Sequence, residues 1–128
     1  MKVLGIGVDI VENKRFRNLI KNKNFLIKIF GKKEIELSKK IKNKITFFAK
    51  RFASKESFAK SLGTGIRDNL NFNDIQILND GLGKPYYLKS KKIIRVINKR
   101  YKIKTCNLFL AISDEKDYSI AFTILQSK

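Results

Sequence analysis

The stretch from Ile45 to Leu62, "ITFFAKRFASKESFAKSL", constrains the fold more than any other. It contains no glycine or proline and is stopped by Gly63 and Gly65, so it reads as one long helix. At about 100° per residue, Ile45, Phe48, Ala49, Phe52 and Ala59 share an arc of roughly 100°. Phe47, Phe58 and Leu62 extend that arc backwards, while Lys50, Ser54, Ser57 and Ser61 form the opposite, polar side. Glu56 falls inside the apolar arc, as do Arg51 and Lys55, and Lys60 sits at its margin. A carboxylate aimed at the core of a helix with a polar side to spare needs a partner there.

The chain around this helix is one domain, residues 1–128, long enough to bury a real core. No stretch approaches a membrane span. "MKVLGIGVDI" reads as a first strand and not a signal peptide. The single cysteine, Cys106, cannot make an internal disulfide, which fits a reducing cytoplasm. Val3–Val8 is a short buried strand that Asp9 ends. "VENKRFRNLIKNK" follows as a basic helix, Phe25–Phe30 adds a further turn or two, and "KKEIELSKKIKN" is a charged, exposed helix. After the central helix, "FNDIQILND" alternates like a strand, "GLGKP" turns and "YYL" is extended. "SKKIIRVINKRY" is helical. "TCNLFLAIS" and "YSIAFTILQ" form a strand pair joined at "DEKD". The expected class is α+β, a mainly antiparallel sheet packed with the long central helix.

With 29 basic and 11 acidic residues, the net charge of +18 suits an acidic or phosphate-rich partner. The recurrence of Lys, Asn and Ile throughout equally suits an AT-rich coding sequence. The absence of histidine excludes a histidine base, a histidine metal ligand and a Ser-His-Asp triad. A bound metal must take oxygen ligands, which favours a hard cation such as Mg²⁺. Asp9, at the end of a strand, is one candidate ligand, although Asp9-Ile10-Val11-Glu12 also fits a helix capping box. An i,i+4 ion pair with Lys60 is the alternative for Glu56. A cation shared by Asp9 and Glu56 explains both placements and asks for a phosphorylated substrate, since Mg²⁺ usually completes its shell with phosphate oxygens and water. Lys55 and Lys60 can reach such phosphates, and Gly63-Thr64-Gly65 offers unobstructed backbone N–H groups. "GIGVDI" lacks the dinucleotide fingerprint, and there is no Walker motif.

"GIGVDI" at 5–10 and "FASKESFAK" at 52–60, with 42 residues between Asp9 and Phe52, resemble the two-part signature of the phosphopantetheinyl transferases. "RFASKESFAKSLGTGI", "FNDIQILNDGLGKPYY" and the closing strand pair extend the resemblance over nearly the whole chain, to the short bacterial holo-[acyl-carrier-protein] synthases.

That resemblance implies transfer of 4′-phosphopantetheine from coenzyme A to a serine of an acidic apo acyl carrier protein for fatty acid biosynthesis. It further implies a homotrimer with sites at subunit interfaces. Asp9 and Glu56 would hold Mg²⁺, and Lys60 would stabilise phosphate charge with Lys55 assisting. Gly63, Thr64, Gly65 and Lys84 would lie along coenzyme A. Arg15, Lys21, Phe25 and Lys28 would face the carrier protein. A second carboxylate, Glu34 on the exposed third helix, is the candidate proton relay. The chain departs from the family where a histidine usually follows the serine of the penultimate strand; here Asp114 follows Ser113. It also has Asn24 where the family often places an arginine. The rival reading is a non-enzymatic basic module for nucleic acid, weakened by the lack of a recognition motif.

Overall fold

Glycines at positions 5 and 7 let the first strand lie directly on the central helix, and the architecture follows from that contact. The computed structural model describes residues 1–66 and 70–128. Strand β1 (Lys2–Glu12) pairs antiparallel with β5 (Tyr118–Ser127), which pairs on its other edge with β4 (Cys106–Asp114). The sheet order is β1-β5-β4, and β2 (Ile77–Asn79) with β3 (Pro85–Tyr87) makes a separate two-stranded ribbon. The helices are α1 (Phe16–Leu19), α2 (Lys23–Ile29), α3 (Lys32–Ser38), α4 (Lys44–Leu62) and α5 (Lys91–Tyr101). This is the expected α+β class, with α4 at the centre.

Asn43 caps α4 by accepting from the Thr46 amide at 3.1 Å, and Gly63 ends it in the left-handed conformation at φ 74°. One side of the helix carries the aromatic core. Phe30 and Phe48 rings lie 4.6 Å apart, Phe16 packs on Phe52 at 5.5 Å, and Phe58 packs on Tyr87 at 5.4 Å.

The serine side is also buried, contrary to its expected polar exposure: Ser54, Ser57 and Ser61 face the sheet. Each hydroxyl donates to a carbonyl of its own helix, Ser54 to Lys50 at 2.8 Å, Ser57 to Ser54 at 3.0 Å and Ser61 to Phe58 at 2.7 Å. A serine satisfied in this way is small and nearly apolar toward a neighbour, so it buries cheaply. Thr123 of β5 and Tyr87 of β3 join this face, with Ser57 Oγ and Thr123 Oγ1 2.6 Å apart and Tyr87 donating to the Ser54 carbonyl at 2.6 Å.

The first strand runs three residues past Asp9, to Glu12. Asp9 therefore sits inside a strand, and the capping-box alternative falls away. Beyond β1, the expected basic helix is interrupted: a 3-10 turn (Asn13–Arg15) precedes a short α1. The stretch from Phe72 starts with a 3-10 turn (Phe72–Asp74), and only Ile77–Asn79 is strand.

A Cβ built on Gly7 would stand 1.8 Å from the Ser57 carbonyl oxygen, and one on Gly5 1.9 Å from that of Ser61. Backbone cannot yield there without moving β1 off α4. Gly7→Ala should therefore cost about 1–3 kcal/mol, the usual range for overpacking, read as a lower denaturant midpoint at unchanged slope.

Candidate active site

Gly5 and Gly7 turn their missing side chains toward α4, and the period-two alternation of a strand then aims Asp9 to the same side. There it meets the last turns of α4. Lys60 Nζ donates to Asp9 Oδ1 at 3.2 Å and to the Val8 carbonyl at 2.9 Å. Glu56, one turn before Lys60, is half-buried rather than in the core. Its carboxyl is pushed above its ordinary range, first by partial desolvation and then by the Asp9 charge, while Lys60 and Arg15 pull it down. Asp9, Glu56, Lys60 and Arg15 thus share one electrostatic site, although Arg15 had been expected on the carrier-protein side alone.

Glu56 and Lys60 open on a cavity of about 340 Å³ that Ala59, Gly63 and Gly65 complete. Thr64 lies between these glycines, half-buried. Gly65 has φ 74° and nothing near where a Cβ would stand, so this wall is bare backbone. Arg100 fixes the end of α4 by donating from Nε to the Leu62 carbonyl at 2.9 Å.

Lys55 does not reach this cavity. It is 0 % exposed and donates to Glu34 Oε1 at 2.6 Å, to the Phe72 carbonyl at 3.0 Å, and to the Ile75 carbonyl. Burial pushes its ammonium down to about 8 against the pull of Glu34. A lysine sealed in this way has no path to a phosphate. Glu34 is equally sealed, at 0 % exposure, and accepts from the Gly31 and Ile77 amides at 3.0 and 3.1 Å. The expected proton relay through an exposed Glu34 is thereby overturned: its helix is charged on the outside, but this residue points inward to Lys55.

Lys84 sits exposed on the turn between β2 and β3, its amide bound to Asp80 Oδ1 at 2.9 Å, and does not line the cavity. Lys21 and Lys28 are exposed, and Phe25 is half-buried between Phe16 and Phe30. Two larger spaces lie elsewhere. One of about 350 Å³ between α3 and the β2–β3 ribbon is lined mainly by apolar surface, including Leu37, Leu78 and Tyr86. The other, about 410 Å³, lies at the start of α4 beside Lys50, Arg51, Asn79 and Asp114. Neither holds a pair of carboxylates facing one another. Arg51 is buried, as its place inside the apolar arc implied, and donates to the Ile77 carbonyl at 3.2 Å and to Asn79 Oδ1 at 2.6 Å. Asp114, at the position of the missing histidine, lies 4.0 Å from the Lys50 ammonium.

Among the described residues, no group of three or more His, Cys, Asp or Glu side chains is placed to hold a metal. The Asp9–Glu56 pair still fits Mg²⁺, which needs one or two carboxylates when a substrate supplies phosphate oxygens.

Residues 5–123 match the 4′-phosphopantetheinyl transferase superfamily. The chain belongs to that superfamily. Among curated relatives, the holo-[acyl-carrier-protein] synthase of Pelagibacter ubique is 56 % identical over 128 residues, covering 100 % of both chains. The crystal structure of the Neisseria meningitidis synthase is 35 % identical, with a TM-score of 0.85 and coverage of 98 % of this chain and 99 % of that one. The Bacillus anthracis synthase, solved in complex with CoA (3′,5′-ADP), is 31 % identical, with a TM-score of 0.81 and full coverage of both chains. The protein is accordingly an enzyme, a phosphopantetheinyl transferase of the holo-[acyl-carrier-protein] synthase type.

The shared field gives this transferase a signature that can be read without turnover. Asp9→Asn should lower the Glu56 carboxyl pKa, and Lys60→Ala should raise it, followed by carbon-detected NMR of the Glu56 carboxyl across pH. Equal titration in all three proteins would mean that the groups do not share a site.

Proposed function

We propose that this protein transfers 4′-phosphopantetheine from coenzyme A to a serine of an acidic apo acyl carrier protein, with Mg²⁺ held by Asp9 and Glu56. The observation that carries this reading is the Lys60 ammonium bonded to Asp9 and sharing with Glu56 a cavity walled by bare backbone, in a chain similar to one solved with CoA (3′,5′-ADP). The serine oxygen bonds to the β-phosphorus of coenzyme A, and the bond from that phosphorus to the bridging oxygen breaks. Adenosine 3′,5′-bisphosphate leaves with that oxygen. Mg²⁺, when bound, neutralises the pyrophosphate. Lys60 adds a compact positive charge, and the amides of Gly63, Thr64 and Gly65 receive phosphate oxygens; fixed charge of this kind is the main resource of phosphoryl-type transfer. Glu34 and Lys55 are sealed off, and Glu56 is committed to the cation, so water at the open mouth of the cavity takes the serine proton.

Arg15, Lys21, Phe25 and Lys28 of the α1–α2 region form the carrier-docking face, where positive charge steers an acidic partner. Lys84, on the ribbon turn, contacts coenzyme A from a neighbouring subunit. The reaction belongs in the cytoplasm, supplying holo carrier protein for fatty acid biosynthesis.

Asp9→Ala or Glu56→Ala should abolish the mass gain of an apo carrier protein incubated with coenzyme A and Mg²⁺, while circular dichroism stays that of the folded protein. Full transfer by folded Asp9→Ala at saturating Mg²⁺ would remove its metal role.

A homotrimer is part of the same reading, supported by the outer face of the three-stranded sheet. Ile6, Val8 and Ile10 of β1 are 59, 53 and 58 % exposed. Across the register, Val8 stands beside Phe122, which stands beside Ala111 on its other edge, and Ile10 stands beside Ile120, making one continuous apolar surface. A sheet with both faces apolar asks for a second cover. Light scattering should give three times the 14.9 kDa chain mass, and Phe122→Glu should dissociate the assembly with loss of transfer. A fully active monomer at working concentration would overturn the assembly.

A further inference from the structure

We infer that the buried Lys55–Glu34 pair is a positioning device for α2, and through it sets the fit of the carrier protein rather than that of coenzyme A. The inference rests on the docking role of α1 and α2 proposed above. Two sealed charges 2.6 Å apart, each at 0 % exposure, are costly to assemble and weak evidence for stability in themselves. What they hold is more informative. Lys55 is linked to α2 through the 3-10 turn and Phe30, and Glu34 holds the Lys55 ammonium in place from α3.

Glu34 accepts from the amide of Gly31, closing the capping box that starts α3 two residues after α2 ends, and also from the Ile77 amide, so one carboxylate fixes the start of α3 and the segment beyond the 3-10 turn. Lys55 works through the 3-10 turn. Its ammonium holds the Phe72 carbonyl at 3.0 Å and the Ile75 carbonyl, clamping this turn against α4. The turn in turn holds α2: Asn73 Nδ2 donates to the Ile27 carbonyl at 3.2 Å. The Phe72 ring stacks on Phe52 at 6.0 Å, Phe52 packs on Phe16, and Phe16 meets Phe25 of α2 at 6.2 Å. The Lys55 ammonium also lies 5.3 Å from the ring of Phe30, which directly follows α2. At seven residues, α2 is too short to hold itself, and its placement depends on such tertiary contacts.

The site chemistry does not pass through this pair. Glu56 and Lys60 are carried by α4, and Asp9 by β1, whatever α2 does. Removing the pair should therefore separate the two substrates. In the full-length enzyme, Lys55→Met should raise the KM for apo carrier protein about tenfold, with the KM for coenzyme A and kcat at saturating carrier within about twofold of wild type. Asn73→Ala cuts one tie while leaving the pair intact, and should raise the carrier KM about threefold without lowering the melting temperature by more than a few degrees. It carries the test if Lys55→Met does not fold. Lys28→Glu, on the exposed face of α2, is the control for docking itself.

Raised carrier KM in Lys28→Glu, with unchanged carrier KM in folded Lys55→Met or in Asn73→Ala, overturns the positioning role and leaves the docking face standing. Unchanged carrier KM in Lys28→Glu overturns the docking face and the positioning role with it. A KM for coenzyme A that rises in Lys55→Met as much as that for the carrier also overturns the proposal, since the pair would then act on the whole site.

Discussion

The close contact of β1 with α4 is the interaction on which the site depends. It works because two small-residue surfaces meet: glycines on the strand, and serines on the helix whose hydroxyls are already spent on their own backbone. The strand can then approach until its Gly7 position faces the Ser57 carbonyl, and Asp9, two residues on, arrives beside the end of the helix. Any side chain at Gly5 or Gly7 would act as a spacer between the two carboxylate-bearing elements. The motif glycines thus serve distance. They neither cap nor cradle.

The same helix separates its charges by face. Glu56 and Lys60 remain at a rim open to solvent, where a charge can act on a ligand. Lys55 and Arg51 go inward and act on backbone carbonyls. Among the described residues, no buried side-chain polar atom lacks a hydrogen-bond partner. The inward charges thus organise the segments that follow α4 rather than remaining as uncompensated cost.

Much of the α+β class, the central helix and the closing strand pair was legible in periodicity and punctuation. Phe48, Phe58 and Leu62 entered the core where the helical arc put them, and Gly63 stopped the helix with a positive φ. The association of Asp9 with the Glu56–Lys60 turn was legible too, because unpaired carboxylates near an apolar surface demand a partner. The serine face was misjudged because a polarity count ignores whether a hydroxyl is satisfied locally. The first strand was cut short because an aspartate looks like a helix start when its cross-strand partner, Ala121, is more than a hundred residues away.

By itself, the sequence determined which elements form, since helical period, caps and strand alternation are local properties of the chain. It also determined that catalysis must proceed without imidazole. Tertiary structure alone decided which of two adjacent motif residues works at the surface and which inside. Lys55 and Glu56 differ by 100° on the helix, and that rotation acquires meaning only once α3 has brought Glu34 to one side and β1 has brought Asp9 to the other. Charges pair by proximity in space, and proximity across 21 residues or 47 is a property of the packed fold.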